Sequence, residues 1–151
     1  ALLSTGPHAD EERQKRIRRE LVRMSTMGKF KGVTPRLLPR FLSPAALQNE
    51  TLASAVMAMG EAVGQHNFAL QQEAIMNRRE QMGTLAQFHK PSLVLCGDLD
   101  ELTPPELAHE MAGVLRDAEL VILPDVGHLS AMEAPDEVTA ALLRLIDRIA
   151  T

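Results

Sequence analysis

Aromatic residues are scarce in this chain: four Phe, with no Tyr and no Trp, among 151 residues. Few ring faces are available for stacking bases, and a formal net charge of −4 offers no general attraction to phosphate backbones. A nucleic-acid partner is therefore not expected. The basic cluster from Arg13 to Arg19 is flanked by acidic residues, and its helical spacing makes it a solvated face. Cysteine is nearly absent as well. Cys96 stands alone, which excludes an intramolecular disulfide and makes a reducing cytoplasm the expected setting. Long apolar runs are missing too: none approaches the roughly 20 residues that span a bilayer, and no basic-then-apolar opening resembles a signal peptide. A soluble chain without membrane contact is expected.

What is present divides into two regions. Ala1-Leu2-Leu3 running into Ser4-Thr5-Gly6 reads as the tail of a buried strand entering a loop, so the chain is expected to open inside a strand. From about residue 9 to 88 the signals are helical. Asp10 is placed to cap a first helix with a charged face and with Ile17, Leu21 and Met24 on the other side. Thr34-Pro35 and Ser43-Pro44 each put a hydroxyl residue ahead of a proline, the arrangement that starts a helix, because proline's missing N–H costs nothing in the first turn. The spacing predicts one helix from Ser43 to near Gly64 and another from His66 to Met82.

From Pro91 the pattern changes. Ser92-Leu93-Val94-Leu95-Cys96 and Leu120-Val121-Ile122-Leu123 are short continuous apolar runs, as suits strands covered on both faces of a parallel sheet. Between them, Thr103-Pro104-Pro105-Glu106 has the spacing of a capping box, followed by Leu107, Met111, Val114 and Leu115 on one helical face. Strand, helix and strand make a βαβ unit. A last helix opens at Pro135, with Val138, Leu142, Leu145, Ile146 and Ile149 forming its apolar stripe.

Ligands of open α/β sheets bind beyond the carboxyl ends of the strands. The first strand is followed there by Gly97-Asp98-Leu99-Asp100, the second by Pro124-Asp125-Val126-Gly127-His128. A carboxylate and an imidazole thus leave neighbouring strands at one edge. Their pairing has a specific use, since a buried carboxylate sets the histidine tautomer and stabilises the imidazolium formed when histidine takes a proton from a nucleophile. Asp98 and Asp100 both qualify as the acid on spacing alone. The pair could also ligate a divalent metal, but no further oxygen ligands stand at a recognisable spacing, so neither metal nor cofactor is expected. Cys96, inside a buried strand, reads as a small apolar residue. His8, His66, His89 and His109 read as surface or helix-end residues.

The order G-D-x-D, x-x-T-P-P, a strand, Gly127-His128, Glu133, Pro135 and an amphipathic helix resembles the C-terminal end of the α/β-fold hydrolases. The resemblance implies an α/β class, an incomplete α/β-hydrolase fold in which a helical cap precedes a βαβα segment with parallel strands. It divides the chain into a strand end and loop at 1–8, a cap or lid at 9–88, and the C-terminal part of the core at 89–151. It implies Asp100 as triad acid and His128 as triad base, with Leu102 and Leu129 beside them contacting a small organic substrate, an ester or lactone. The methionines of the helical region, Met24, Met27, Met57, Met59, Met76 and Met82, suit either an adaptable pocket lining or a core between helices.

Two family elements do not occur in these residues: there is no G-x-S-x-G nucleophile elbow and no glycine-rich oxyanion loop. The chain by itself is therefore expected to be inactive in acyl transfer. The same acid–histidine end also serves dehalogenases, cofactor-free haloperoxidases and C–C bond hydrolases. A third expectation follows from half a sheet with an unpaired edge: association with the chain's own N-terminal half or with a second copy.

Overall fold

The computed structural model describes residues 1–150. Its sheet has three parallel strands in the order β1 (Leu2–Leu3), β2 (Ser92–Gly97), β3 (Ala118–Leu123). The register runs from Ser92 opposite Ala118 to Gly97 opposite Leu123, and Leu2 and Leu3 lie opposite Val94 and Leu95. Every residue of β2 is buried, because this central strand has a neighbour on each side and a helix on each face. Its side chains alternate accordingly. Leu93 and Leu95 join Leu123, Val138, Ala141 and Leu145 on one face, while Val94 and Cys96 join Ala108, Met111 and Leu115 on the other.

Those two faces are covered by α6 (Pro135–Ala150) and α4 (Pro105–Val114). Acidic residues in the first turn of α6 (Asp136, Glu137) and Arg148 in its last match the helix dipole. Arg148 also donates to the carbonyls of Ser92 and Asp117, each at 3.1 Å, tying the end of α6 to the starts of β2 and β3. The apolar stripe of α6 is narrower than its spacing implies. Val138 and Leu145 are buried and Leu142 packs at the margin, but Ile146 and Ile149 are more than half exposed.

The helical region departs from expectation more. Helix α1 (Glu12–Ser25) starts after Glu11, whose N–H is accepted by the Gln14 side chain at 2.7 Å. Asp10 does not cap it, because its carboxylate is taken by Arg18. Nothing on α1 is fully buried: Lys15, Arg18, Val22 and Ser25 are its half-buried residues, and Ile17, Leu21 and Met24 face solvent. The helix is held against its neighbour by a polar junction, which turned its apolar stripe outward.

Thr34-Pro35 opens only a turn leading to a short 3-10 segment, Leu38–Arg40. Ser43 does cap a turn, its Oγ accepting from Ala46 N–H at 3.2 Å, but the long helix α2 (Glu50–Met76) starts at Asn49, whose side chain accepts from Leu52 N–H at 3.1 Å. Gly64, with φ 72°, breaks α2 into two stretches, near the expected boundary. The second stretch stops at Met76 rather than Met82. Residues 78–81 instead bind back to the 7–9 loop: Gln81 N–H donates to the Pro7 carbonyl at 2.9 Å and Arg78 Nη2 to the His8 carbonyl at 2.7 Å. A short helix α3 (Met82–Ala86) and the one-turn α5 (Ser130–Glu133) complete the chain. Among the described residues no helix is long and apolar enough to cross a membrane.

Candidate active site

The loops leaving β2 and β3 meet at the carboxyl edge of the sheet, and glycine lets them meet so closely. A Cβ at Gly97 would lie 2.1 Å from the Val126 carbonyl oxygen and 2.5 Å from that of Gly127, inside any tolerable contact. Backbone bonds close the junction: Asp98 N–H to the Leu123 carbonyl and Leu99 N–H to that of Val126, both 2.9 Å. Gly127 is crowded too, since a Cβ there would meet Ser43 N at 2.8 Å. One carboxylate oxygen of Glu133 accepts both Gly127 N–H (3.1 Å) and Ser43 N–H (2.9 Å), locking the His128 loop to the helical region. The Phe41 carbonyl accepts the N–H groups of His128 and Leu129, each at 3.1 Å, and the Phe41 ring stands edge-on to the imidazole with centroids 6.2 Å apart.

Within this frame the side chains of Asp100 and His128 are in direct contact. His128 Nδ1 lies 2.9 Å from Asp100 Oδ2 and 3.1 Å from Oδ1. The Asp100 side chain is wholly buried and that of His128 about one-fifth exposed. Four other donors serve the same carboxylate, the weakest being the Cys96 thiol, 3.8 Å from Oδ2. Leu102 N–H (2.9 Å) and Thr103 N–H (2.8 Å) reach Oδ1, and the Thr103 hydroxyl reaches Oδ2 at 2.7 Å. Burial by itself pushes the Asp100 carboxyl up, and is the largest single influence. The bond from His128 and those from Thr103 together outweigh it and hold the group below the usual carboxylate range. An ionised carboxylate only accepts, so Nδ1 carries a proton, and in the neutral ring Nε2 is then the nitrogen with the free lone pair.

Asp98, the competing acid, is exposed and bears no bond to His128. Leu102 and His128 line one cavity of about 780 Å³, together with Ser4, Thr103, Arg18 and Gln72. Leu129 does not line it. Its side chain packs on the cluster of Leu38, Leu42 and Val56, because the Phe41 bond turns that stretch of backbone toward the helical region. None of the six methionines of the helical region lines it either: Met57 packs on that cluster, and Met24, Met27 and Met59 are exposed. Burial and the nearby Asp100 push the Cys96 thiol up to about 12, so it stays protonated at neutral pH and serves as packing.

Thr103 is the residue that sequence reasoning misplaced. Its hydroxyl does not cap α4, which is preceded by Pro104 at the cap position and has no side-chain cap; it holds the carboxylate instead. The signal was available, since an aspartate followed three residues later by threonine is also an Asx-type turn. Phe41 and Arg18 left no such mark, because they reach the site across long sequence separations, and Glu133 stood in the motif with no sign of which groups it binds.

Residues 67–144, just over half of the chain, match the α/β-hydrolase family model described as TAP-like protein. Lipase 1 of Psychrobacter immobilis is 34% identical over 68 residues, covering 45% of this chain and 22% of the lipase. A Mycobacterium tuberculosis protein described as a non-heme bromoperoxidase, BpoC, is 39% identical over 54 residues, covering 36% of this chain and 21% of its own length. The structure of a thermophilic esterase from Thermogutta terrifontis superposes with a TM-score of 0.90 at 25% identity, over 99% of this chain and 56% of the esterase. The chain thus spans little more than half of that structural relative, and the curated relatives match over about a fifth of their own length. With a parallel sheet, a carboxylate–imidazole pair at its carboxyl edge and a family match across that pair, the chain belongs to the TAP-like family of α/β-hydrolases.

Proposed function

We propose that this chain supplies the acid and base of a hydrolase that cleaves esters or lactones of small organic molecules. The observation that carries the reading is the 2.9 Å contact between a buried carboxylate and an imidazole that faces a cavity. In the reaction a serine Oγ attacks the substrate carbonyl carbon while His128 Nε2 takes the hydroxyl proton, and His128 then returns it to the departing alcohol oxygen. Water repeats the cycle on the acyl-enzyme, and Asp100 stabilises the imidazolium at both stages. The serine comes from outside these 151 residues, because no G-x-S-x-G occurs within them. The helical segment 9–88 acts as the cap over the substrate.

The test is hydrolysis of a chromogenic acyl ester by the full-length gene product and by the 151-residue chain. Full-length protein should turn over, and His128→Ala should lower kcat by about 10⁴ or more. Undiminished turnover in that variant would overturn the role of His128. Turnover by the chain alone that depends on His128 would overturn the external nucleophile.

The match to the bromoperoxidase-like relative favours a second reading, in which the same pair serves haloperoxidase or other non-ester chemistry. The residue at the nucleophile position separates the two. Association is proposed as well. Among the described residues the outer edge of β1 has no strand partner, and Leu143 and Ile146 leave an apolar flank of α6 exposed. We propose that the polypeptide bearing the nucleophile covers both. A single, protonated, buried cysteine supports a cytoplasmic setting.

A further inference from the structure

An arginine on a helix surface is ordinarily mobile, its charged end in water. Arg18 is held at two points by side chains that are themselves buried. Its Nε donates to Asp10 Oδ2 at 2.5 Å and its Nη1 to Gln72 Oε1 at 3.0 Å. The Asp10 side chain is 4% exposed and Gln72 9%. Asp10 precedes α1, Arg18 lies in it, and Gln72 comes from the second stretch of α2, so three separate positions converge on one guanidinium. That guanidinium lines the same cavity as His128, and among the described residues no acceptor meets its Nη2.

A guanidinium carries five N–H donors in one plane. Two anchors suffice to join the helices, and here they also set the orientation of the donors that remain. A fixed planar fork with free outer donors is the arrangement that binds a carboxylate. The other charged groups on the wall are few. Arg78 binds only the His8 carbonyl and has no carboxylate partner among the described residues; His8 sits between Glu80 and Glu110; Glu11 is an exposed carboxylate before the start of α1. Asp10 already balances Arg18, which leaves Arg78 and Glu11 to offset one another.

We propose that the cavity takes acyl substrates bearing a carboxylate, and that Arg18 is the residue that binds it. The proposal rests on the reading of this cavity as the substrate pocket of a hydrolase. Arg18 determines specificity in it and touches no reacting atom.

Monomethyl succinate and dimethyl succinate differ by one carboxylate and serve as probes, titrated into the 151-residue chain with His128 ring signals followed by NMR. The half-ester should bind about tenfold tighter or more, the effect of a charge-assisted hydrogen bond. Asp10→Asn, which frees Arg18 of its counter-charge, should tighten the half-ester further. Adding Arg18→Gln to that variant, so that no buried carboxylate is left unpaired, should remove the preference. Equal binding of both probes, with His128 signals moving, would overturn anion recognition and leave the hydrolase pocket standing. Weaker half-ester binding in Asp10→Asn would also overturn it, showing Arg18 to be a structural tie. If neither probe moves the His128 ring, the pocket reading falls together with the proposal.

Discussion

Replacing Thr103 by Val removes one atom's chemistry from the site at nearly constant shape. The lost hydroxyl donates to Asp100 Oδ2 at 2.7 Å, while the backbone N–H of the same residue, 2.8 Å from Oδ1, survives. Because the Asp100 side chain is wholly buried, no water replaces the donor. A hydrogen bond to a charged group contributes about 1.5–3 kcal/mol, so Thr103→Val should destabilise by about 2 kcal/mol and lower Tm by about 4–8 °C for a domain of this size. The sign with pH follows from linkage. The Asp100 carboxyl sits below its ordinary 3.8 in the folded chain, so its contribution is present above that value and is lost as pH falls through the folded one. With one donor gone, the carboxyl moves back toward the ordinary range and acid unfolding starts at higher pH. Urea denaturation at neutral pH and in a pH series from 2 to 7, about the span of the effect, reads both, and Thr103→Ser, which restores the hydroxyl, is the control. A loss below about 0.5 kcal/mol, the level of an ordinary surface substitution, would refute the reasoning. So would Thr103→Ser being as harmful as Val.

His8 should make stability fall as pH rises above 6.5. Bonds to Glu110 and then to Glu80 raise it above 6.5, so the charged tie is fully present below 6.5 and disappears as pH climbs through the raised value. His8→Gln should flatten that slope in denaturation curves, and an unchanged slope would show that the tie does not act. Gly97→Ala should cost about 3 kcal/mol or more, because its methyl group meets the Val126 carbonyl at 2.1 Å; calorimetry showing a Tm near that of the parent would contradict the crossing of the two loops.

The sheet and the pair at its edge were legible because their causes are local. Unbroken apolar runs such as Leu93-Val94-Leu95 specify a doubly covered strand. The βαβ order then brought Asp100 and His128 to one edge. Helix ends were less legible wherever a polar side chain had two possible partners. Asp10 had the form of a cap and went to Arg18; Thr103 had the form of a cap and went to Asp100; residues 78–81 continued a helical pattern and bound the 7–9 loop instead.

The sequence by itself determined the class of fold and the parallel strands, and put His128 and two candidate carboxylates, Asp98 and Asp100, at one sheet edge, since each follows from the residue types adjacent to one strand or one turn. Only tertiary structure decided which side of α1 is buried, that Leu102 rather than Leu129 lines the cavity, and that Phe41, Glu133 and Thr103 hold the pair in place. These depend on competition among hydrogen-bond partners that are near in sequence, as Thr103 is to Asp100, or as far apart as Ser43 and Glu133. That competition is settled by burial, which makes an unpartnered polar group costly and which spacing along a chain does not reveal.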